Sequence, residues 1–189
     1  ANGIGASNSE TGHGSISVYQ CFWTLACLNG MQTENRSRSA HITSARSQDH
    51  YGLLSTEAKA ADNLALELKT RDLVKAYSSR QNFDETIQKM RDAANDIVEG
   101  SVNTAAENLG KVLQLTKLEN KNVLDGLMAT IGQAGYSGQP VSRATMVNAV
   151  TAVANNPEID HDNVDEWQKR GGQVLNMSKS DWNRVAVAA

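Results

Sequence analysis

Aromatic side chains are scarce in this chain of 189 residues, at 5%, and Ala and Val carry much of the apolar content. A core of small side chains buries less area per residue, so stability is expected to be modest or shared with a partner chain. Cysteine is nearly missing, with only Cys21 and Cys27. Six residues apart on what reads as one strand, they do not bridge comfortably. Both are expected to be reduced, buried and inert, as in a reducing cytosol. No apolar run reaches the roughly 18–20 residues of a membrane helix, so no membrane partner is expected. No signal peptide is visible. The chain opens on Ala1, consistent with trimming of an initiator Met or with a start inside a longer protein.

Strong positive charge is also lacking. The net charge is −3, which does not mark a nucleic-acid binder. Residues 30–91 nevertheless hold ten Lys/Arg against eight Asp/Glu, while residues 92–189 hold eight against twelve. With 40% hydrophobic and 21% charged residues, the composition is that of an ordinary globular chain rather than a disordered one.

Residues 1–13 are rich in Gly, Ser and Asn and read as loop. Residues 14–28 are apolar on both parities, with Ile16, Val18 and Phe22 on one side and Tyr19, Cys21, Trp23, Leu25 and Cys27 on the other. That pattern predicts a buried strand. Asn29-Gly30 is a strong hairpin signal. Met31 to Ile42 then reads as a polar return strand or a loop.

From Ser55 the period becomes helical. Ser55 caps a helix whose apolar residues include Ala61, Leu64, Ala65 and Leu68, then Leu73, Val74 and Tyr77. Asn82 with Glu85 reads as a capping box. It would open a helix of about thirty residues that buries Phe83, Ile87, Met90, Ala94, Ile97 and Leu109 on one face, with Gly100 as the kink. Thr116 with Glu119 is a second capping box, for a helix closed by Gly132. Ser142 to Ala154 is a helix with Met146, Val147, Val150 and Val153 inward, stopped at Asn155-Asn156-Pro157. A short helix around Val164 and Trp167 is expected to end at Gly171-Gly172. A short strand at Gln173–Met177 and a last helix from Ser178 through Trp182 and Val185 complete the reading. The fold class is therefore α+β: a small β element and loops over 1–50, then about six helices over 51–189, forming one folding unit.

Residues Asn8, Ser9 and Gly12, followed by the apolar strand and by Cys27, Asn29, Gly30 and Met31, resemble the "NS-x-x-G … C-x-NG-[LM]" signature of the phage/plasmid-like family called domain of unknown function 932. The Gly171–Leu175 segment is similar to the family's C-terminal part. Members of that family are usually longer before the Asn-Ser motif, so the chain would be a C-terminal part or a shortened relative. Thr24 stands where they tend to carry an arginine. The resemblance implies a phage or mobile-element origin, the cytoplasm of a bacterial host, and a link to DNA replication or recombination. It carries over no catalytic residue.

No constellation in the sequence specifies an enzyme. Cys27 has no readable histidine partner and reads as a packing thiol. His13, His41, His50 and the two cysteines lack metal-ligand spacing. Asp160-His161-Asp162 with Asp165-Glu166 lacks the glycine and terminal Glu of a calcium loop and suits a helix N-terminus better. The Gly132–Gly138 segment has no following Lys, so it is not a phosphate loop. No metal, cofactor or catalytic residue is expected. The functional expectation is an oligomeric accessory protein of DNA metabolism that binds single strands. Arg36, Arg38, Arg46 and Lys59 would contact phosphate, and Tyr136, with Arg143 nearby, would stack a base. The alternative is a structural or protein–protein interaction module without nucleic-acid contact. The acidic balance and the long helix argue for it.

Overall fold

The computed structural model describes residues 2–7, 16–23, 30–32, 41–42, 54–133, 136–157, 159 and 163–187. Its class is α+β and mainly helical. The strands are β1 (Asn2–Ser7), β2 (Ile16–Trp23), β3 (Gly30–Gln32) and β4 (His41–Ile42). Seven α-helices follow among the described residues. They are α1 (Thr56–Tyr77), α2 (Arg80–Asn95), α3 (Val102–Val112), α4 (Lys117–Ile131), α5 (Arg143–Ala152), α6 (Val164–Leu175) and α7 (Lys179–Ala186). A 3-10 turn at Val153–Asn155 continues α5.

The chain forms two compact units. The smaller contains β1, β2 as far as Cys21, β4, α1 and the start of α2 to Phe83. There β4 pairs antiparallel with β2, Ile16 opposite Ile42. Val18 and Cys21 are buried, and the Gln20 side-chain amide donates to the Tyr77 carbonyl at 3.3 Å. The larger unit contains the end of β2, β3, and the chain from Asp84 through α7. Gly30 is the first residue of β3. Asn29 and Cys27 lie outside the described residues.

The core of the larger unit is built on α5, which packs against α4 and α6, while β3 packs against α6 and α3 against α4 and α7. A ten-residue helix buried nearly all round needs apolar residues on every side. Met146, Val147, Ala149 and Val150 supply them, and Leu109, Leu127, Val174 and Trp182 close around them. Trp167 and Trp182 are both core residues. Thr151 of α5 bonds within its own helix: its Oγ1 donates to the Val147 carbonyl at 3.0 Å, which satisfies a group that burial would otherwise penalise.

The capping signals set the helix starts. Ser55, Ser101, Thr116, Ser142 and Ser178 each accept from a backbone N–H one turn on. The expected start at Asn82 is corrected. Ser79 Oγ accepts from the Asn82 N–H, α2 begins at Arg80, and the Asn82 side chain donates to the Ala76 carbonyl at 2.5 Å.

The thirty-residue helix is also corrected. Helix α2 stops at Asn95, and residues 96–101 are not helical. Val98 N–H donates to the Val141 carbonyl at 2.9 Å, Arg143 N–H to Asp96 at 2.8 Å, and Glu99 N–H to Ala186 at 3.1 Å. These tertiary bonds replace the helical ones. Leu109 is buried, Ile87 and Met90 are half-buried, and Phe83, Ala94 and Ile97 are exposed. Ala93 is the α2 side chain that enters the core.

The expected strand at Gln173–Met177 is helix instead, because Gly171-Gly172 does not end α6. A Cβ on Gly171 would collide with the Thr151 methyl, so this glycine allows α5 and α6 to approach closely.

Helix α3 ends in a left-handed residue that is not glycine. Gln114 has φ 56° and donates to the Lys111 carbonyl at 3.2 Å, while Leu115 donates to Gly110 at 2.8 Å. This is a Schellman pair of bonds, with Gln where glycine is usual. Gln114→Gly is therefore expected to raise stability by on the order of 1 kcal/mol, since the left-handed conformation costs an L-residue about that much. An unchanged or lower denaturation midpoint would contradict this strain.

Candidate functional site

Of the residues expected to meet DNA, Lys59 and Tyr136 are among the described residues. Arg36, Arg38 and Arg46 lie outside the described residues, as do Asn8, Ser9, Gly12 and the cluster at 160–162. Lys59 is half-buried on α1 in the smaller unit. Tyr136 belongs to the larger unit, where its hydroxyl accepts from the Asn148 side-chain amide. Arg143, expected near Tyr136 as part of an open stacking site, is buried. Of the motif residues, Met31 is described in most detail, and it is a core side chain packed with the helices.

Two arginines organise the polar contacts of the larger unit. The Arg143 guanidinium pairs with Asp96 at 2.6 Å and donates to the Met177 carbonyl at 2.9 Å. It also lies over the Trp182 ring, 5.9 Å from its centroid. Arg170 bridges Glu119 at 2.7 Å and Glu166 at 2.6 Å and stacks on Trp167 at 4.6 Å. Glu119 also accepts from the Thr116 N–H at 2.8 Å. That backbone bond and the Arg170 guanidinium hold its carboxyl down to about 2. Each anion here is consumed by structural bonds, so neither arginine presents an open cation to a ligand. Among the described residues no group of three His, Cys, Asp or Glu could hold a metal ion.

The surface that stands out is on α1. A helix of 22 residues rich in Ala, Leu, Glu and Lys has high intrinsic propensity. Ser55 caps it, Glu57 lies in its first turn and Lys75 in its last, which complements the dipole. Its sheltered residues are Lys59, Asp62, Leu66, Thr70, Leu73 and Tyr77, one face at spacing three and four. The apolar group Ala61, Leu64, Ala65 and Leu68 lies on the exposed side. Leu64 is 55% exposed and Leu68 37%, with Val74 also open. The outward seam Glu57, Ala61, Leu64, Leu68, Arg71 and Lys75 repeats at four, three, four, three and four, and every member is exposed. Apolar residues thus line two opposite faces of one helix, and only one face is covered.

Comparison with known protein families, curated proteins and solved structures finds no match to this chain. No helix among the described residues is long and apolar enough to cross a membrane.

Two expectations follow from these groups. Burial pushes the Cys21 thiol up from its ordinary value. In a Cys27→Ser background, Cys21 should therefore label at least on the order of 100-fold more slowly in native than in denatured protein. Equal rates would contradict its burial. Glu119 is held below its ordinary value of 4.5, so its contribution is complete above that pH and is lost as pH falls toward about 2. Glu119→Gln should cost roughly 1 kcal/mol near neutral pH, a figure reduced for solvent screening. Urea unfolding should show the gap to the parent closing between pH 4.5 and 2; a gap independent of pH would contradict the assignment.

Proposed function

We propose that the chain is a protein–protein interaction module that docks a partner through the outward face of α1. One observation carries this reading: Leu64 and Leu68 stand in water at adjacent seam positions of a well-capped helix. Burying the exposed part of these two leucine side chains against a partner is worth about 1 kcal/mol each, the kind of contact that drives helix docking. Val74 and Leu54, also exposed, extend the apolar surface around the same helix. The docking surface is thus α1, since the expected platform of residues 83–112 is divided at residues 96–101. The single-strand DNA reading draws less support. Lys59 is on the sheltered face of α1, and the Tyr136 hydroxyl is tied to Asn148.

A photo-cross-linking residue at position 64, in cells expressing the full chain, tests the reading. Adducts to protein are expected from position 64 and not from position 103 on α3, which is also exposed. Labelled single-stranded oligonucleotides should show no salt-dependent binding to the purified chain. Absence of a protein adduct at position 64 overturns the module. So does oligonucleotide binding whose log affinity falls by about 0.7 per phosphate contact with log salt.

A further inference from the structure

The outward seam of α1 is more than apolar: its charges are segregated by sign, acid toward one end of the helix and base toward the other. We infer that the partner is a second copy of this chain, and that two α1 helices pair antiparallel through Glu57, Ala61, Leu64, Leu68, Arg71 and Lys75. This inference rests on the interaction-module reading and names its partner. The spacing of four and three is that of a coiled-coil seam, and all six residues are exposed. Apolar residues occupy the centre of the seam, an acid its N-terminal end and two bases its C-terminal end.

That order decides the direction of pairing. In an antiparallel pair whose two-fold axis passes at the level of Leu66, residues equidistant from Leu66 meet. Leu64 then packs on the partner's Leu68, and Ala61 lies against the aliphatic stem of the partner's Arg71. Glu57 faces the partner's Lys75. Each contact occurs twice. In a parallel pair the same seam would stack Glu57 on Glu57, Arg71 on Arg71 and Lys75 on Lys75, three layers of like charge. Flanking the antiparallel seam, Ala60 comes beside the partner's Val74, which is exposed in the single chain. Glu67 is the charged residue that would sit near its own copy, close to the axis. The apolar centre is short, so the pair should be reversible, with a dissociation constant on the order of 10–100 μM rather than that of a standard-size interface.

Sedimentation of the full chain from about 1 to about 500 μM tests this, with far-UV circular dichroism confirming that each variant folds. A reversible monomer–dimer equilibrium is expected. Leu64→Glu and Leu68→Glu, both at exposed positions, should each weaken it about tenfold or more. Glu67→Gln should tighten it severalfold, which a general loss of folding would not do. The exchange of both end charges, Glu57→Lys with Lys75→Glu, should self-associate like the parent. When mixed with the parent it should form homodimers in preference to mixed dimers, because mixing sets like charge against like. A chain that stays monomeric overturns the second-copy inference. So does a dimer indifferent to both leucine variants, and preferential mixed dimers overturn the antiparallel arrangement. Cross-linking from position 64 separates the two levels of the account. An adduct to a different protein from a monomeric chain leaves the module standing without self-pairing, and no adduct removes both.

Discussion

The Arg143 guanidinium touches three separate stretches of the larger unit: the Asp96 carboxylate at 2.6 Å, the Met177 carbonyl at 2.9 Å and the Trp182 ring. Its own backbone N–H donates to the Asp96 carbonyl, so Asp96 is held by both main chain and side chain. The pair is sheltered, with the guanidinium far less exposed than the carboxylate. Removing Asp96 would leave a buried cation with a carbonyl and a ring for company, which is costly where water cannot replace the anion. The position of α5, the join between α6 and α7, and the end of α2 all depend on this contact. The capping box of Ser142 and Thr145 fixes the first turn of α5 beside it. Glu119 and Arg170 repeat the device for α4 and α6.

Interruption of the chain at residues 96–101 follows from the same contact. If residues 96–99 stayed helical, the Asp96 carbonyl and the Val98 N–H would be committed within the helix. They would then be lost to Arg143 and Val141. The segment instead makes a bridge to Ser142, and Ser101 restarts the chain as α3. Helix α1, by contrast, keeps all 22 residues in one piece and carries two faces suited to burial. Its sheltered face ends at Tyr77, whose carbonyl accepts from Gln20. Its other face carries Leu64 and Leu68, both exposed.

Local chemistry was legible in the sequence. Ser55, Thr116-Glu119, Ser142 and Ser178 announced helix starts, because a cap needs only a hydroxyl and the amides of the next turn. The buried set of α5 was legible too, since that helix is apolar almost all round. Three things were not. The 3-4 spacing of apolar residues ran straight through Asp96 to Gly100, where tertiary bonds to α5 decide the backbone. Gly171-Gly172 looked like a stop, but glycine marks close approach as readily as termination, and the neighbour Thr151 lies twenty residues away in sequence. In α1, the sequence shows Leu64 and Leu68 as apolar residues of the helix alongside Leu73 and Tyr77, yet period alone cannot say which of two apolar faces turns inward. That last ambiguity concealed the candidate site. Its apolar residues do not stand out in the sequence, because a docking seam has the composition of a core.

The core of the larger unit is built from its own elements, whereas α1 is proposed to pair with a second helix. Amide hydrogen exchange at several protein concentrations measures this directly. Protection along α1 should rise between about 1 and about 200 μM as the seam becomes covered, while the amides of Val98 and Arg143 stay equally protected throughout. Exchange in α1 that does not change with concentration would contradict the account.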